Sequence, residues 1–340
     1  MTLSDEIVVA TYNVEALFDC KKDHGTLDHD FLPDGYYAWT PDKLARKIEN
    51  LRRVVSSIDG GRGPDVLALN EVENRGVVED LREALGRTEL VTLAHHEGEC
   101  QYGLENAILS RYPLAAEPVI HHLSPLSTEA AWRMRGILEV MLDVHGTKLV
   151  VFSNHWPAGK GRAAAQRVDA AGRLRELVEE RTNADPLAKI VALGDFNACP
   201  SDDAFGRRGL RAAVQLDELS NGASLYNTMA FDHSVTTLAE LDGALRAAGA
   251  GTHFTRPPPY TGPDGEWNVL DQIFVSRGLV AEQGLSWVRG STRVVREVFM
   301  LAEDGTPRGF FERAVKPRDQ DLARAGFSDH LPVITRLRHP

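Results

Sequence analysis

An α/β architecture is predicted from three features of the sequence. Short runs rich in Val, Ile and Leu alternate with stretches of helical periodicity. The apolar runs are continuous enough to suit strands covered on both faces. Polar residues collect at the ends of those runs rather than within them.

The predicted strands begin with Ile7–Val14. A helix follows, because Thr40 is a good N-cap, Pro41 suits the first helical position, and Leu44, Ile48, Leu51, Val55 and Ile58 recur on one face. Asp65–Val72 and Asn106–Arg111 are the next strands. Gly136–Asp143 and Thr147–Asn154 flank His145-Gly146, a hairpin turn signal. A second helix covers Gly161–Arg181, with Val168, Ala171, Leu174 and Val178 in register. Strand Lys189–Gly194, helix Leu238–Ala248, and strands Leu270–Ser276 and Val333–Leu337 complete the pattern.

The chain has 340 residues, 43% hydrophobic and 26% charged, enough to bury a core without staples. No repeat and no composition shift divides it, so residues 1–340 read as one domain with long loops. The Pro-rich stretch from Arg256 to Gly265 and the charged region 302–325 read as such loops. A net charge of −11 disfavours a broad basic surface for duplex nucleic acid, while a local basic cleft stays compatible with it. Three separated cysteines, Cys20, Cys100 and Cys199, imply neither a disulfide framework nor a zinc ribbon. The first residues lack a signal-peptide pattern and no apolar run reaches transmembrane length, so a cytoplasmic location without stable membrane insertion is the default expectation.

Six polar intrusions stand out: Asn13 and Glu15; Asn70, Glu71 and Glu73; Asn154 and His155; Asp195 and Asn197; Asp271; and Asp329 with His330. Polar groups at so many strand ends are costly to bury separately, which favours one shared site. Their types suit metal-assisted phosphoester hydrolysis. Carboxylates are hard donors for Mg²⁺, Asn donates to phosphate oxygens without adding charge, and His paired with Asp can move protons.

The blocks Ala10-Thr11-Tyr12-Asn13-Val14-Glu15, Leu69-Asn70-Glu71-Val72-Glu73-Asn74, Asn154-His155-Trp156-Pro157, Gly194-Asp195-Phe196-Asn197, Leu270-Asp271-Gln272-Ile273 and Ser328-Asp329-His330 together resemble the endonuclease/exonuclease/phosphatase superfamily, in its order and over nearly the whole chain. The resemblance implies a DNase I-like four-layer α/β/β/α sandwich of two mixed β-sheets flanked by helices. It implies that Glu71, with Asn13 and Asp329, holds Mg²⁺, with Mn²⁺ as an alternative. Asp195 would position or deprotonate the attacking water. Asn197 and His155 would bind the phosphoryl group, His330 would act at the scissile phosphate, and Asp271 would orient His330. Asn70 stands where Gln is usual and Gln272 where Tyr or His is common. The block Asn-His-Trp-Pro, the Glu266-Trp267-Asn268 segment and the acidic stretch 19–42 are similar to a bacterial subgroup.

The function expected is a divalent-metal-dependent phosphoesterase, nuclease or phosphodiesterase in type, whose partner is a phosphoester substrate such as nucleic acid. A phosphatase for small molecules or lipid head groups is the alternative, and a catalytically silent binding protein a more distant one. Lys160 and Arg162 are candidates for holding a substrate phosphate, weighed evenly against a solvated helix start. Arg135 is a weaker candidate. Glu15 and Glu73 read as near the cleft or solvated, and His95, His96, His121 and His122 as loop histidines. The acidic group Asp19, Asp23, Asp28, His29 and Asp30 reads as an ordinary loop rather than a second cation site, and Trp156 and Trp267 as core or stacking residues.

Overall fold

A computed structural model of the chain describes residues 6–23, 25–98, 100, 102–123, 134–222, 224–257, 264–311 and 316–339. Most of the Pro-rich stretch and part of the charged region 302–325 therefore lie outside the described residues.

The first seven-stranded sheet is built on β1 (Glu6–Leu17), which runs parallel to β2 (Val66–Val72) and antiparallel to β16 (Val333–Arg338). β4 (Glu105–Ser110) and β3 (Thr92–His95) extend it beyond β2, and β14 (Ser286–Trp287) and β15 (Arg293–Val294) pair with β16. The second seven-stranded sheet has the order β5 (Val119–His121), β6 (Ile137–Val144), β7 (Thr147–His155), β8 (Lys189–Asp195), β13 (Asp271–Val275), β10 (Leu225–Asn227), β9 (Ala212–Ala213). A separate ribbon joins β11 (His253–Thr255) to β12 (Glu266–Asn268). Both large sheets mix parallel and antiparallel pairs.

Strand alternation explains the layering. On β1, Ile7 and Val9 point to a core shared with Val140, Leu149, Val151, Val191 and Leu193 of the second sheet. Val8, Ala10, Tyr12 and Val14 point the other way, onto α1 (Pro41–Ser57) and α2 (Arg75–Leu85). Phe152, Ile190 and Ala192 on the outer face of the second sheet pack on Ala170, Leu174 and Val178 of α3 (Arg162–Ala184). These three cores make a helix–sheet–sheet–helix stack, the four-layer arrangement expected, and continuous apolar strands are what its doubly covered sheets require.

Seven of the eight long strands read from sequence are present within one residue of the expected bounds, β1 runs three residues past the expected Val14, and His145 and Gly146 both have positive φ, as the hairpin requires. The helix expected at 161–181 runs three residues further. α4 (Leu238–Ala247) is as expected, and α5 (Arg277–Val280) is a single turn that sequence reading missed. α2 was also missed; its N-cap is Asn74, whose side chain accepts from Val77 N.

α1 departs from the expected face. Leu51, Val55 and Ile58 are fully buried, but Leu44 and Ile48 are only partly so, while Lys43, Lys47 and Asn50 are buried. The cause is the chain near 317–327, which lies over that side. Its backbone carbonyls accept from all three: Pro317 from Lys43, Phe327 from Lys47, and Ala325 and Gly326 from Asn50.

At Gly194, φ is +136° and a Cβ would lie 1.9 Å from the carbonyl oxygen of Asn154. Only glycine lets β7 and β8 meet this closely, which brings His155 into register with Asp195.

Candidate active site

The sheet topology gathers the polar residues at one edge of the stack. Asn13, Glu71, His155 and Asp195 lie at the carboxyl ends of β1, β2, β7 and β8. β13 and β16 run antiparallel to their neighbours, so Asp271 and the segment 328–330 enter the same edge from their amino ends.

Two β-bulges aim the residues. The β1–β2 register shifts between Asn13 and Leu17, where Glu15 and Ala16 both have positive φ, and Ala16 N donates to Glu71 Oε2 at 2.9 Å. The β2–β4 register shifts between Asn70 and Val72, and Glu71 has φ 66°. Asn197 has φ 47°. Each left-handed non-glycine residue costs roughly 1–2 kcal/mol. Four of them in one cleft mark strain held by surrounding structure, a pattern typical of functional sites.

Asp195 Oδ2 is the centre of the arrangement. It accepts from Asn13 Nδ2 at 2.9 Å and Asn197 Nδ2 at 3.3 Å, and it lies 3.6 Å from His155 Nε2 and 3.8 Å from His330 Nε2. Asp195 Oδ1 accepts from Asn197 N at 2.8 Å. Asn13 Nδ2 also reaches Glu71 Oε1 at 3.2 Å, which is 3.8 Å from His155 Nε2. His330 Nδ1 meets Asp271 Oδ2 at 2.8 Å, and Asp271 has no solvent exposure. Asn70 locks the two sheets together beneath this cluster. It donates to Asn106 Oδ1 and to the Asn154 carbonyl and accepts from Asp195 N. The shorter Asn, in place of the expected Gln, is thus fully satisfied.

The charge states follow from burial and neighbours. Burial, reinforced by Asp271, raises the Asp195 pKa to about 6, against the lowering effect of His330, Asn197 and Asn13. Burial opposes the His330 imidazolium, but Asp271 and Asp195 outweigh it and hold the pKa well above the usual value. Burial, with Arg135 and His330 nearby, pushes His155 well below the usual value, so it is neutral near pH 7. Burial also disfavours the Asp329 carboxylate, but His253, His330 and Lys47 overcome this and hold it ionised.

Asp195, Asp271 and His330 each present one ligand atom within 4.8 Å of the others, as do His253, Asp329 and His330, and either group could hold a metal ion. The oxygen donors of Glu71 and Asp329 reach the open side, with side-chain exposures of 23% and 31%. Hard carboxylate donors facing solvent suit Mg²⁺ or Mn²⁺, so the residues fit a divalent cation.

Every expected site residue except Lys160 lines or borders this cleft. Lys160 is exposed on the turn before α3. Arg162, exposed in the first turn of α3, lines a groove of about 500 Å³ with Tyr102, Met134, Arg135, Pro157 and His155. Glu15 is in the cleft rather than solvated, with Oε2 accepting from Phe310 N at 2.6 Å. Glu73 is buried behind the acidic stretch, where it accepts from Asp19 N, and burial raises its pKa to about 8. In that stretch Asp28 is paired with Lys22, and among the described residues no metal-binding group of three forms there or around His95, His96, His121 and His122. Trp156 packs on Phe196 and Phe205 in the core, while Trp267 lies under Arg296. The three cysteines are free.

Two residues were missed. His253 lies 3.7 Å from Asp329 Oδ2 and packs against His330 in a tilted arrangement with ring centroids 4.6 Å apart. Lys47 is 3.6 Å from Glu15 Oε2. A lone His before a Pro-rich stretch and a Lys among helix charges carry no sequence signal; both gain their place from tertiary packing.

Two face-to-face mixed sheets, helices on both outer faces, and an Asp–His–Asn cluster at the strand ends define the DNase I-like class of α/β proteins. The chain belongs to the endonuclease/exonuclease/phosphatase family, whose model matches residues 8–339. Among solved structures it is similar to TDP2 from Caenorhabditis elegans (15% identity, TM-score 0.58, 99% of this chain and 77% of that one). It is also similar to D. rerio TDP2 complexed with single strand DNA product (14%, 0.56, 98% and 99%) and to Staphylococcus aureus beta toxin (16%, 0.54, 97% and 99%). At these identities the likeness is one of fold. No match was found among curated proteins.

Proposed function

We propose that the chain hydrolyses phosphoesters, with a phosphodiester as substrate, by in-line attack of a water activated at Asp195. The observation that carries this is the environment of Asp195 Oδ2: one carboxylate oxygen faces two imidazoles within 3.8 Å while two Asn amides hold it in place. A pKa raised to about 6 suits a base that takes a proton from water near neutral pH. His330, kept protonated by Asp271, and the neutral His155 face the space above Asp195, where they donate to nonbridging phosphoryl oxygens. Asn197 donates both amide hydrogens, one to Asp195 Oδ2 and one to the Trp156 carbonyl, and so positions the base.

Glu71 and Asp329, with Asn13, would hold a divalent cation that offsets charge on the phosphoryl group. We favour these over the Asp195, Asp271 and His330 group for a physical reason. Asp271 and His330 already share a proton at 2.8 Å, and Asp271 is closed to solvent.

The groove beside His155 takes one arm of the ester, with Arg135 and Arg162 at its wall for a further anionic group. Likeness to a protein solved with a single strand DNA product supports nucleic acid as that substrate. The groove has the size of a single-ligand pocket, which supports small-molecule or lipid head-group esters as a second reading.

The test is Mg²⁺-dependent cleavage of supercoiled plasmid and of bis(p-nitrophenyl) phosphate, with EDTA and Asp195→Ala as controls. Metal-dependent turnover of either, lost in the variant, is expected. Plasmid nicking selects the nuclease reading, and cleavage of the small diester alone selects the second. Silence on both would remove the proposal.

The rate is expected to rise with pH as Asp195 ionises. A bound cation lowers a carboxylate pKa, so the acid limb of kcat/KM has its midpoint at or below about 6. An alkaline limb follows as His330 loses its proton. A kcat/KM still climbing above pH 7 would remove Asp195 as the base.

A further inference from the structure

Asp271 and His330 meet at 2.8 Å, yet they come from different sheets. Asp271 opens β13 of the second sheet, and His330 lies just before β16 of the first. Each ladder fixes its residue within its own sheet, so the distance between the two depends on a separate tie.

Thr252, directly before β11, supplies one, and it is fully buried. Its Oγ1 accepts from Leu270 N at 3.0 Å and from Asp271 N at 3.1 Å, and donates to the Asn268 carbonyl at 3.4 Å. That uses both lone pairs and the proton of the hydroxyl. Its backbone carbonyl accepts from Leu331 N at 2.8 Å, and its neighbour His253 forms a β-bridge with His330. One residue therefore grips the Asp271 backbone with its side chain and the backbone beside His330 with its main chain. The segment that carries it is itself anchored. Thr252 N donates to the Asn268 carbonyl at 2.8 Å, and Arg296 Nη2 donates to the Gly251 carbonyl at 2.9 Å. A Cβ on Gly251 would meet the Trp267 ring at 2.6 Å, so this close approach requires glycine.

We infer that Thr252 is a positioning residue that sets the Asp271–His330 contact, through its hydroxyl on Asp271 N and its carbonyl on Leu331 N. Valine has nearly the same shape but nothing to accept with. Without the hydroxyl, two buried N–H groups lose their partner, the start of β13 moves to satisfy them, and the carboxylate is displaced from His330 Nδ1. A displacement of about 1 Å can cost on the order of 10²-fold in rate. The kinetic consequence rests on the proposed hydrolysis, whereas the contact itself does not.

The test compares Thr252→Val, which removes the hydroxyl, with Thr252→Ser, which keeps it. Two-bond proton–nitrogen spectra of the full chain, isotope-labelled at histidine, read the His330 ring nitrogens at one fixed pH, with the signals assigned by their loss in His330→Ala. The valine chain is expected to shift the Nδ1 signal, and the serine chain to leave it at the native position. On bis(p-nitrophenyl) phosphate with Mg²⁺, the valine chain should lose roughly 10- to 10²-fold in kcat. The serine chain should stay within a few-fold of native, and the valine change should add little when His330 is already alanine. Thr252→Ala removes the same oxygen without setting a methyl against the two N–H groups, and is read by the same criteria if the valine chain does not fold. An unmoved Nδ1 signal in a folded valine or alanine chain would overturn the inference. So would a serine chain as impaired as the valine chain, or a valine loss undiminished in the His330→Ala background. If the native chain turns over no phosphoester, the proposed function falls and the Nδ1 signal alone decides the role of Thr252.

Discussion

Asp195→Asn and His330→Ala are each expected to lower kcat by on the order of 10²–10⁴, the range for loss of a general acid–base group. Asn keeps the size of Asp195, and its carbonyl can still accept from Asn197 N, now 2.8 Å away. It removes the basicity that takes the water's proton. It also removes the charge that, with Asp271, holds His330 protonated. The two losses are therefore coupled, and the double variant should lose much less than the product of the single losses. Steady-state kinetics on bis(p-nitrophenyl) phosphate at saturating Mg²⁺ reads the effect, with thermal melts to show that each variant is folded. Turnover within a few-fold of the native rate in a folded Asp195→Asn chain would take Asp195 out of the chemistry.

Most of the long strands were legible in the sequence because both faces of each sheet are covered, which leaves runs such as Leu67–Leu69 and Ile190–Leu193 apolar throughout. The short strands at and beside the sheet margin were not. Two- and three-residue segments such as Ala212–Ala213 and Leu225–Asn227 carry too few residues for any period. The candidate residues were legible by type and strand position, and the structure brings Asn13, Glu71, His155, Asp195, Asn197, Asp271, Asp329 and His330 together at one edge. The missing part was backbone conformation and long-range pairing. Glu15, Ala16 and Glu71 adopt left-handed conformations that their residue types do not signal, whereas Asn197 is of a type that favours one. Lys47 and His253 join the cleft through contacts with chain segments more than 70 residues away, or across a single bridge between His253 and His330.

Asp271→Asn tests whether charge or orientation governs His330. Asp271 Oδ2 is fully buried 2.8 Å from His330 Nδ1, and its other oxygen is buried without a hydrogen-bond partner. The carboxylate therefore acts almost wholly on the histidine. The amide can present its oxygen to the same Nδ1–H, which keeps the ring in place but withdraws the negative charge. Burial then acts against the imidazolium with only Asp195 and Asp329 in support, so the His330 pKa falls. The sign follows: a histidine whose pKa drops loses its proton at lower pH, and the alkaline limb of kcat/KM moves toward acid. If the amide turns its NH₂ to Nδ1, the ring is forced into the other tautomer and kcat drops at every pH. We expect a loss on the order of 10²–10⁴ at neutral pH, in the range seen when a carboxylate orienting a catalytic histidine is replaced. Asp271 itself has no path to the substrate, so any change in KM acts through the charge on His330. A pH profile of kcat and kcat/KM in the folded variant decides it. A uniform small loss with both limbs unmoved would show Asp271 to be a packing residue, whereas an acid-shifted alkaline limb would identify its charge as what keeps His330 protonated for phosphoryl binding.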